Sequence, residues 1–472
     1  MRRAMIRIFK HYTPTSLLVL AILEFAVLVA AVYAGVAIRF WDESASDVQA
    51  SGLVYPIFPK AVTFAVVVFG FMVATGLYQR DHGSLAWYYG RVAASMVLGL
   101  AVMTLLFYLI PALFLGRGAF GLAFVIAFAG ILLTRYGYLL WTGPEATKRR
   151  VLVLGTGSRA ARIDALERSG NGRQGFQIVG YLPLDGAERP QVDRAKILPD
   201  RGSICCLAHK YRVDEVVVGI PDRRGGRLPM DEMLACKLDG IDVVDLTSFF
   251  ERETGHVQLQ TLNSSWMIFS DGFARGQLRD VLKRAFDVAA SSVLLLMTWP
   301  VLLVAAILIK LDSPGPVLYR QVRIGEGGKH FTMFKLRSMR ADAEAGGNPQ
   351  WATDDDPRVT RVGRVLRQLR LDELPQLFNV LKGDMSVVGP RPERPYFVER
   401  LAKQIPYYSC RHSIKPGITG WAQIRYRYGS SSDDALEKLQ YDLYYVKNHS
   451  LFLDSLILVQ TVSVALFGKG AR

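Results

Sequence analysis

The chain has little cysteine, few acidic residues relative to basic ones, and no nucleic-acid-binding motif. Among its 472 residues are only four cysteines, Cys205, Cys206, Cys236 and Cys410, which show no paired metal spacing. They fall in segments that we expect to be cytoplasmic, so reduced thiols are the default and we assign them no role. The 57 lysines and arginines exceed the 42 aspartates and glutamates, but they are spread through loops and form no basic tail. The excess therefore favours anionic lipids and phosphorylated substrates as partners, and no nucleic acid.

Half of the residues are hydrophobic, and four long apolar stretches occupy positions 16–38, 56–77, 93–115 and 119–141. Each is near the ~20 residues that a helix needs to cross a bilayer. The first is too long for a removable signal peptide and has no small-residue cleavage site. Cations precede the first stretch, separate the second from the third and follow the fourth, which predicts that those segments are cytoplasmic. Residues 1–149 are therefore predicted to form a four-helix transmembrane bundle.

Strand and helix patterns alternate after the fourth stretch. Buried strands are predicted at 151–154, 177–182, 215–220 and 242–246, with a glycine turn at 155–160 after the first. This alternation predicts an α/β Rossmann-like middle domain over residues 150–277. The turn would suit a nucleotide pyrophosphate at a helix N-terminus, but the same turn serves close packing of strand and helix. Asp185 lies about 30 residues beyond Gly155, past the ~20 expected for a ribose-binding acid.

A fifth apolar stretch, 286–311, is interrupted by Pro300. Cations flank both ends, with Lys283 and Arg284 before it and Lys310 and Arg320 after it, so both ends prefer the cytoplasmic side. Proline removes a helix hydrogen bond and its ring forces a bend. We therefore predict a re-entrant helix that enters the inner leaflet, bends at Pro300 and returns.

An acidic pair, Asp372 and Glu373, stands where a short amphipathic helix is predicted to begin, with Pro375 in the first turn and Gly383 at the end. Free backbone N–H groups at a helix start favour an anion. The ordinary explanation of such a pair is a favourable helix cap. The alternative is a nucleophile or a metal ligand.

Cations surround this pair in the sequence. Lys335 and Arg337 come before it, and Arg391 and Arg394 follow it. Such side chains neutralise phosphate oxygens, and arginine does so in bidentate fashion. Two carboxylates among cations favour phosphoryl chemistry with a divalent ion.

The blocks around the pair, taken in order, resemble the monotopic bacterial phosphoglycosyl transferases, which move a sugar 1-phosphate from a nucleotide sugar to polyprenyl phosphate. The resemblance covers about residues 278–470, and the one departure is Leu336, where the family usually has Phe. The re-entrant helix is also what the resemblance implies, within an α-rich monotopic catalytic domain over residues 278–472. The matching blocks are 283–287, 314–321, 323–325, 335–339, 356–363, 371–377, 379–385 and 389–393.

The resemblance implies a membrane enzyme of the bacterial inner membrane with its catalytic domain on the cytoplasmic side. Asp372 is expected to attack a UDP-sugar, to release UMP and to pass the phosphosugar to undecaprenyl phosphate, with Mg²⁺ bound by Asp372. Glu373 is expected to orient the metal or Lys335. Membrane lipids are a further partner, glucose and galactose are the leading sugars, and a homodimer is left open. The predicted phosphate-binding residues are Arg337, Arg391, Arg394 and Arg320.

Two other functions fit parts of the chain. A membrane-anchored nucleotide-sugar dehydratase also carries spans before an α/β domain, but it uses a Tyr-x-x-x-Lys pair, and none of the 20 tyrosines here has a lysine four residues on. A non-enzymatic scaffold for polysaccharide assembly would use the middle domain to recruit other proteins, and this role is compatible with catalysis.

Overall fold

The computed structural model describes thirteen segments of the chain, which form two compact units. The main body of the first unit extends to Gly255, and that of the second begins at His256. Asp185, and Arg80 among the cations between the second and third apolar stretches, lie outside the described residues. The described segments are 5–8, 11–42, 56–78, 85–141, 148–169, 175–183, 189–199, 202–220, 228–259, 276–340, 343, 356–426 and 431–467.

The first unit begins with two short strands and four long apolar helices. Three of these helices begin and end within four residues of the predicted stretches, and α3 begins eight residues earlier than predicted. All four are long and apolar enough to cross a membrane. The elements are β1 (Met5–Ile8), β2 (His11–Pro14), α1 (Thr15–Arg39), α2 (Ile57–Ala74), α3 (Leu85–Leu109) and α4 (Arg117–Trp141).

Helices α1 and α4 pack closely because small residues line their contact. A Cβ on Gly35 would lie 2.6 Å from the Ala123 nitrogen and 2.8 Å from the Ala119 oxygen, so only glycine allows the two backbones to approach this far. Glu24 of α1 and Arg135 of α4 are fully buried, and Arg135 Nη2 donates to Glu24 Oε2 at 2.9 Å. These two charges inside the predicted spans therefore neutralise each other across the helix pair.

The rest of the first unit is a four-stranded parallel sheet in the order β4, β3, β5, β6. Gly155 follows β3 with φ +111°, and a Cβ there would lie 3.1 Å from the Gly219 oxygen, so the glycine turn serves close packing beside β5. The Rossmann assignment stays a prediction. The elements are β3 (Arg149–Leu154), α5 (Ser158–Ser169), β4 (Phe176–Leu182), α6 (Ile204–Lys210), β5 (Glu215–Val218), α7 (Met230–Leu238), β6 (Asp242–Asp245) and α8 (Leu246–Thr254).

Helices cover both faces of this sheet. Ile204 and Leu207 of α6 and Met233 of α7 belong to the apolar cluster on one face. Ala160 of α5 and Phe249 of α8 belong to the cluster on the other face. Strands buried on both sides in this way are typical of parallel α/β sheets.

The second unit combines a long apolar helix with small strand pairs and short helices. Strands β7 and β8 form an antiparallel hairpin, and β9 pairs with β10 in parallel. The elements are α9 (Gln277–Asp312), β7 (Leu318–Ile324), β8 (His330–Leu336), α10 (Arg361–Gln368), α11 (Gln376–Lys382), β9 (Ser386–Val388), α12 (Pro395–Gln404), β10 (Gly417–Thr419), α13 (Trp421–Arg425), α14 (Ser432–Asn448) and α15 (Leu451–Phe467).

Helix α9 runs through Pro300 as a single element of 36 residues. Near its start, Arg284 donates to the carbonyl oxygens of Val380 and Leu381 at 2.5 and 2.6 Å. At its end, Asp312 Oδ2 accepts from the Val362 nitrogen at 3.2 Å. Both ends are therefore held by the same unit, while the return at Pro300 stays a prediction.

The predicted helix at the acidic pair begins later than expected. Arg370 adopts a left-handed conformation with φ 54°, and Leu371–Glu373 forms a 3₁₀ turn before α11 begins. Pro375 occupies the N-cap position, and Gly383 ends the helix with φ 98° as expected. The acidic pair thus lies in a separate turn that precedes the helix.

Candidate active site

One buried amide fixes the helix that follows the acidic pair against the hairpin. Asn379 of α11 is fully buried; its Nδ2 donates to the Thr332 oxygen at 2.7 Å, and its Oδ1 accepts from the Phe334 nitrogen at 3.0 Å. Both partners lie on β8, shortly before Lys335. A two-sided amide contact of this kind sets both the distance and the rotation of α11 relative to the strand. Lys335 therefore reaches the acidic turn from a fixed position.

A close backbone approach presents Arg391 from the other side. A Cβ on Gly389 would lie 2.4 Å from the Lys415 oxygen, so only glycine fits at this position. The Arg391 carbonyl oxygen then accepts from Arg411 Nη2 at 3.0 Å. Arg411 is buried and forms an ion pair with buried Asp442, with Nη2 and Oδ2 2.8 Å apart. Arg411 is thus held in place as it supports the Arg391 backbone.

Glu373 lies between the two cations. Its Oε1 accepts from Lys335 Nζ at 3.0 Å and from Arg391 Nη2 at 2.9 Å. Burial favours the protonated acid, but Arg391 and Lys335 outweigh it and hold the pKa of Glu373 far below its usual range. Of the two roles predicted for Glu373, the contact with Lys335 is the one that the structure contains.

Asp372 is the more isolated carboxylate of the pair. Its side chain is buried, with the residue 7% exposed. Burial raises the pKa of Asp372, against the lowering influence of Lys335, and the neighbouring charge of Glu373 raises it further. Arg367 and Arg391 act in the lowering direction. The adjacent carboxylates therefore differ: Glu373 is a permanent anion, and Asp372 is a desolvated and more basic one.

The other predicted phosphate-binding residues lie in different surroundings. Arg337 is buried, and its guanidinium donates to the carbonyl oxygens of Ile309 at 3.3 Å, Ser313 at 2.7 Å and Pro314 at 2.9 Å, all at the end of α9. These contacts place a cation against the carbonyl groups at the C-terminal end of α9, where the helix dipole favours positive charge. Its phosphate role stays a prediction beside this structural one.

Arg320 and Arg394 lie on two other elements, β7 and the start of α12. In the hairpin register, Arg320 pairs with Phe334 while Tyr319 pairs with Lys335, so Arg320 lies on the face of the hairpin opposite Lys335. Arg394 is the N-cap residue of α12, three positions after Arg391. Lys335 and Arg391 therefore each contact Glu373 directly, whereas Arg320 lies on the opposite face of the hairpin.

Sequence reasoning missed three residues of this site. Asn379 and Arg411 position the charged groups, and Arg367 of α10 contributes positive potential at Asp372. A buried amide or an arginine far along the chain gives no spacing signal. Arg367 precedes Asp372 by only five residues, so the search for cations near the acidic pair could have included it.

The donor set around Asp372 fits a magnesium ion of the kind that substrates help to bind. Mg²⁺ keeps several waters and is usually held by one or two carboxylates together with substrate phosphates. Here Glu373 is engaged by two cations, which leaves Asp372 as the carboxylate that offers oxygen ligands. Within the described part of the second unit, no group of three His, Cys, Asp or Glu side chains has the closeness of a complete protein metal site.

Comparisons with known proteins identify a family model and several relatives that match this chain. Residues 278–468 match the family model described as bacterial sugar transferase. The chain is 41% identical over 274 residues to an Aeromonas hydrophila protein named UDP-N-acetylgalactosamine-undecaprenyl-phosphate N-acetylgalactosaminephosphotransferase, which covers 58% of this chain and 62% of the relative. It is 33% identical over 358 residues to a Komagataeibacter xylinus undecaprenyl-phosphate glucose phosphotransferase, covering 74% of this chain and 65% of the relative.

A third relative is matched over more of its length. The chain is 34% identical over 373 residues to the UDP-glucose:undecaprenyl-phosphate glucose-1-phosphate transferase of Xanthomonas campestris pv. campestris, and the match covers 75% of each. The chain spans less than two thirds of the length of the Aeromonas and Komagataeibacter relatives. The similarity extends across the second unit and beyond it, which indicates common descent with these enzymes. The chain therefore belongs to the bacterial sugar transferase family.

Proposed function

We propose that the protein transfers a sugar 1-phosphate from a UDP-sugar to undecaprenyl phosphate, as the first step of exopolysaccharide or O-antigen synthesis. Asp372 attacks the β-phosphorus of the UDP-sugar, the bond from that phosphorus to the bridging oxygen breaks, and UMP leaves. An oxygen of undecaprenyl phosphate then attacks the same phosphorus and displaces the Asp372 carboxylate. The product is an undecaprenyl diphosphate sugar, and Asp372 returns to its starting state.

The observation that carries this proposal is the contrast between the two adjacent carboxylates. A nucleophile must approach an anionic diphosphate, so it benefits from having few water molecules to shed and from nearby cations. Buried Asp372, next to Lys335, Arg367 and Arg391, has both properties. Glu373 holds Lys335 and Arg391 in place, which makes it a positioning group.

The same cations suit the developing charge of phosphoryl transfer. Lys335 and Arg391 both contact the Glu373 carboxylate, and we expect the diphosphate to bind beside these two cations. Mg²⁺, held by Asp372 and the diphosphate, would neutralise charge on the non-bridging oxygens. In such a reaction the protein contributes position and electrostatics.

The contacts of α9 support the re-entrant arrangement and the location at the inner membrane. Between its anchored ends the helix exposes a run of large apolar side chains, with Leu296 75% and Met297 71% exposed. A straight crossing would carry one end away from the unit that holds both ends. An apolar helix whose two ends are held by the same unit can bury its middle by entering one leaflet of the bilayer and returning. This arrangement keeps the site on the cytoplasmic face.

The proposal is tested by UMP release from a panel of UDP-sugars: glucose, galactose, N-acetylglucosamine and N-acetylgalactosamine. The full chain, in detergent with Mg²⁺ and undecaprenyl phosphate, is expected to release UMP with at least one of them. With a sugar-labelled donor and no acceptor, the label is expected to remain on the denatured protein.

The matched control separates Asp372 from acidic residues in general. Asp372→Asn should lose the covalent label and turnover, whereas Asp433→Asn, an exposed change at the start of α14, should keep both. Turnover above a few per cent in Asp372→Asn would remove Asp372 from the nucleophile role. Activity without a covalent label, in wild-type protein, would favour direct transfer between the two substrates.

A further inference from the structure

A second cluster of reactive side chains lies in the first unit and includes no residue of the candidate active site. On helices α6 and α7, Cys205 Sγ donates to Asp239 Oδ2 at 2.9 Å, and His209 Nε2 lies 3.3 Å from the same oxygen. One ligand atom from each of the three side chains lies within 4.8 Å of the others. Among the residues that the structure describes, no other group of three such side chains comes this close.

Helical spacing explains why these residues meet. Cys205 and His209 are four positions apart on α6 and therefore share one face of it. Asp239 is the C-cap residue of α7, and Cys236 precedes it by three positions on the same side of that helix. Leu207 and Met233 pack the two helices onto the same face of the sheet. The folded helix pair thus brings Cys205 and His209 of α6 together with Asp239 at the end of α7.

The group lies at the surface of the helix pair. The Asp239 side chain is 51% exposed and that of His209 is 62% exposed, so the group opens to solvent on its outer side. A second thiol, that of Cys236, is fully buried on α7 and lies outside the close group. An ion can therefore reach Cys205, His209 and Asp239 directly from solvent.

Both dimensions and chemistry match a tetrahedral ion. Bonds of about 2.3 Å to sulfur and about 2.0 to 2.1 Å to nitrogen and oxygen place neighbouring ligand atoms roughly 3.3 to 3.8 Å apart. The observed separations of 2.9 and 3.3 Å need to change by less than about 1 Å to reach that range. One sulfur, one imidazole and one carboxylate, with water in the fourth position, form a set that favours zinc over magnesium or calcium.

We propose that Cys205, His209 and Asp239 form a site for a thiophilic divalent ion, Zn²⁺ in the cell, which joins α6 to α7. Binding replaces the hydrogen bond between Cys205 and Asp239 with two bonds to the ion, and the thiol proton passes to water. The site is independent of the transferase reaction proposed above.

The test is cobalt binding by the full chain in detergent with a non-thiol reductant. Co²⁺ in a tetrahedral site with thiolates gives a sulfur-to-metal charge-transfer band, which oxygen ligands at Asp372 cannot produce. We expect one Co²⁺ per chain with this band, displaced by one equivalent of Zn²⁺. Wild-type protein purified without chelators should carry zinc by elemental analysis.

Variants separate the site from adventitious thiol binding. Cys205→Ser should weaken binding roughly ten-fold or more and reduce the band, and Cys206→Ser, one residue away and exposed, should change neither. His209→Asn alters an exposed side chain outside the apolar core, so it should weaken binding while leaving the melting temperature of the metal-free protein unchanged. Equal metal binding by the wild type and by Cys205→Ser or His209→Asn, a loss in Cys206→Ser, or a Cys205–Cys236 disulfide in the reduced preparation would each overturn the proposal.

Discussion

Replacing Glu373 with Gln removes one charge and keeps the size of the side chain. The Glu373 carboxylate accepts from Lys335 at 3.0 Å and from Arg391 at 2.9 Å. The amide oxygen of Gln retains one acceptor, but two cations then face each other without the anion between them. We expect Lys335 and Arg391 to separate, and the site to lose the arrangement that receives a diphosphate.

The stability cost follows from the two charge-assisted hydrogen bonds. Each is worth about 1.5 to 3 kcal/mol when well shielded. The side chains of Lys335 and Arg391 are 17% and 29% exposed, so solvent screens part of that energy. With one acceptor kept, a net loss of about 2 kcal/mol is expected, which corresponds to a fall in melting temperature of roughly 4 to 8 °C. We expect kcat/KM for the UDP-sugar to fall roughly ten- to hundred-fold, or about 1.4 to 2.7 kcal/mol.

The pH profile isolates the electrostatic part of the effect. Burial raises the pKa of Asp372, and the Glu373 charge raises it further. The ionised form is the proposed nucleophile, so we expect activity to disappear as pH falls through this raised pKa. In Glu373→Gln the negative charge that raises the pKa of Asp372 is gone, and Lys335 and Arg391 no longer pair with Glu373. The pKa of Asp372 is therefore expected to fall. The acid limb of kcat/KM should therefore move to lower pH in Glu373→Gln.

The measurement compares wild type, Glu373→Gln and Glu399→Gln, an exposed change on α12. Because all three use the same substrates, a difference in the acid limb reports on the protein. The control should match wild type in melting temperature and in pH profile. An acid limb that stays in place or moves to higher pH in Glu373→Gln would refute the coupling between the two carboxylates, and an unchanged melting temperature would refute the ion-pair argument.

Three further changes test the scaffold. Asn379→Ala removes both hydrogen bonds to β8 and should cost about 2 to 3 kcal/mol in unfolding free energy and lower kcat, as thermal denaturation and single-turnover kinetics can check. The matched surface change is Phe378→Gln, on the exposed side of the same helix, and it should leave both measurements unchanged. Glu24→Gln leaves buried Arg135 without its anion and should destabilise the membrane helices by about 3 kcal/mol in a detergent unfolding assay, whereas the double variant Glu24→Gln with Arg135→Gln should recover part of that loss. A chain beginning at His256 should keep transferase activity and should melt at a higher temperature than one beginning at the predicted domain boundary, because the shorter chain loses apolar side chains that the second unit buries.

The expected advantage of the longer truncated chain over one that begins at Leu278 rests on two side chains. Val257 and Leu259 are 1% and 8% exposed and belong to the main apolar cluster of the second unit. The Val257 nitrogen also donates to the Gln440 carbonyl oxygen at 3.1 Å. Burial of two such side chains contributes about 3 kcal/mol or more. The predicted boundary at residue 278 follows the extent of the matching blocks and leaves these two residues out, because two apolar residues in a polar segment form no pattern.

The acidic pair and its cations were predictable because local sequence carries most of their signal. Asp372 and Glu373 are adjacent, and Lys335 and Arg391 fall in charged blocks on either side of them. The start of the helix was wrong by several residues, since the left-handed Arg370 and the 3₁₀ turn that follows have no signature in apolar spacing. The direct contact of Glu373 with both cations depends on how α11 packs against β8, which sequence periodicity does not contain.

Residues that act from a distance were not predictable in this way. Arg411 supports the backbone of Arg391 from twenty positions further along the chain, and its own partner Asp442 comes another 31 positions later. Arg337 was assigned to phosphate from its charge and position, whereas its contacts are with carbonyl groups at the end of α9. A charge in a sequence indicates that it needs a partner, but only the folded chain determines which partner it meets.

The contacts of α9 join two patterns that the sequence presents separately, an apolar run and a charged turn. Ala305 and Ile309 of α9 lie in one apolar cluster with Leu336, which follows Lys335, and Leu371, which precedes Asp372, packs against that cluster. Each of these leucines packs against α9, and each is the chain neighbour of a charged residue of the site. A shift of this half of α9 would therefore move Lys335 and Asp372 together. With α9 entering the bilayer as proposed, attachment to the membrane and alignment of the charged groups would depend on the same packing, which is a physical reason for an enzyme that acts on a lipid phosphate to build its site directly on such a helix.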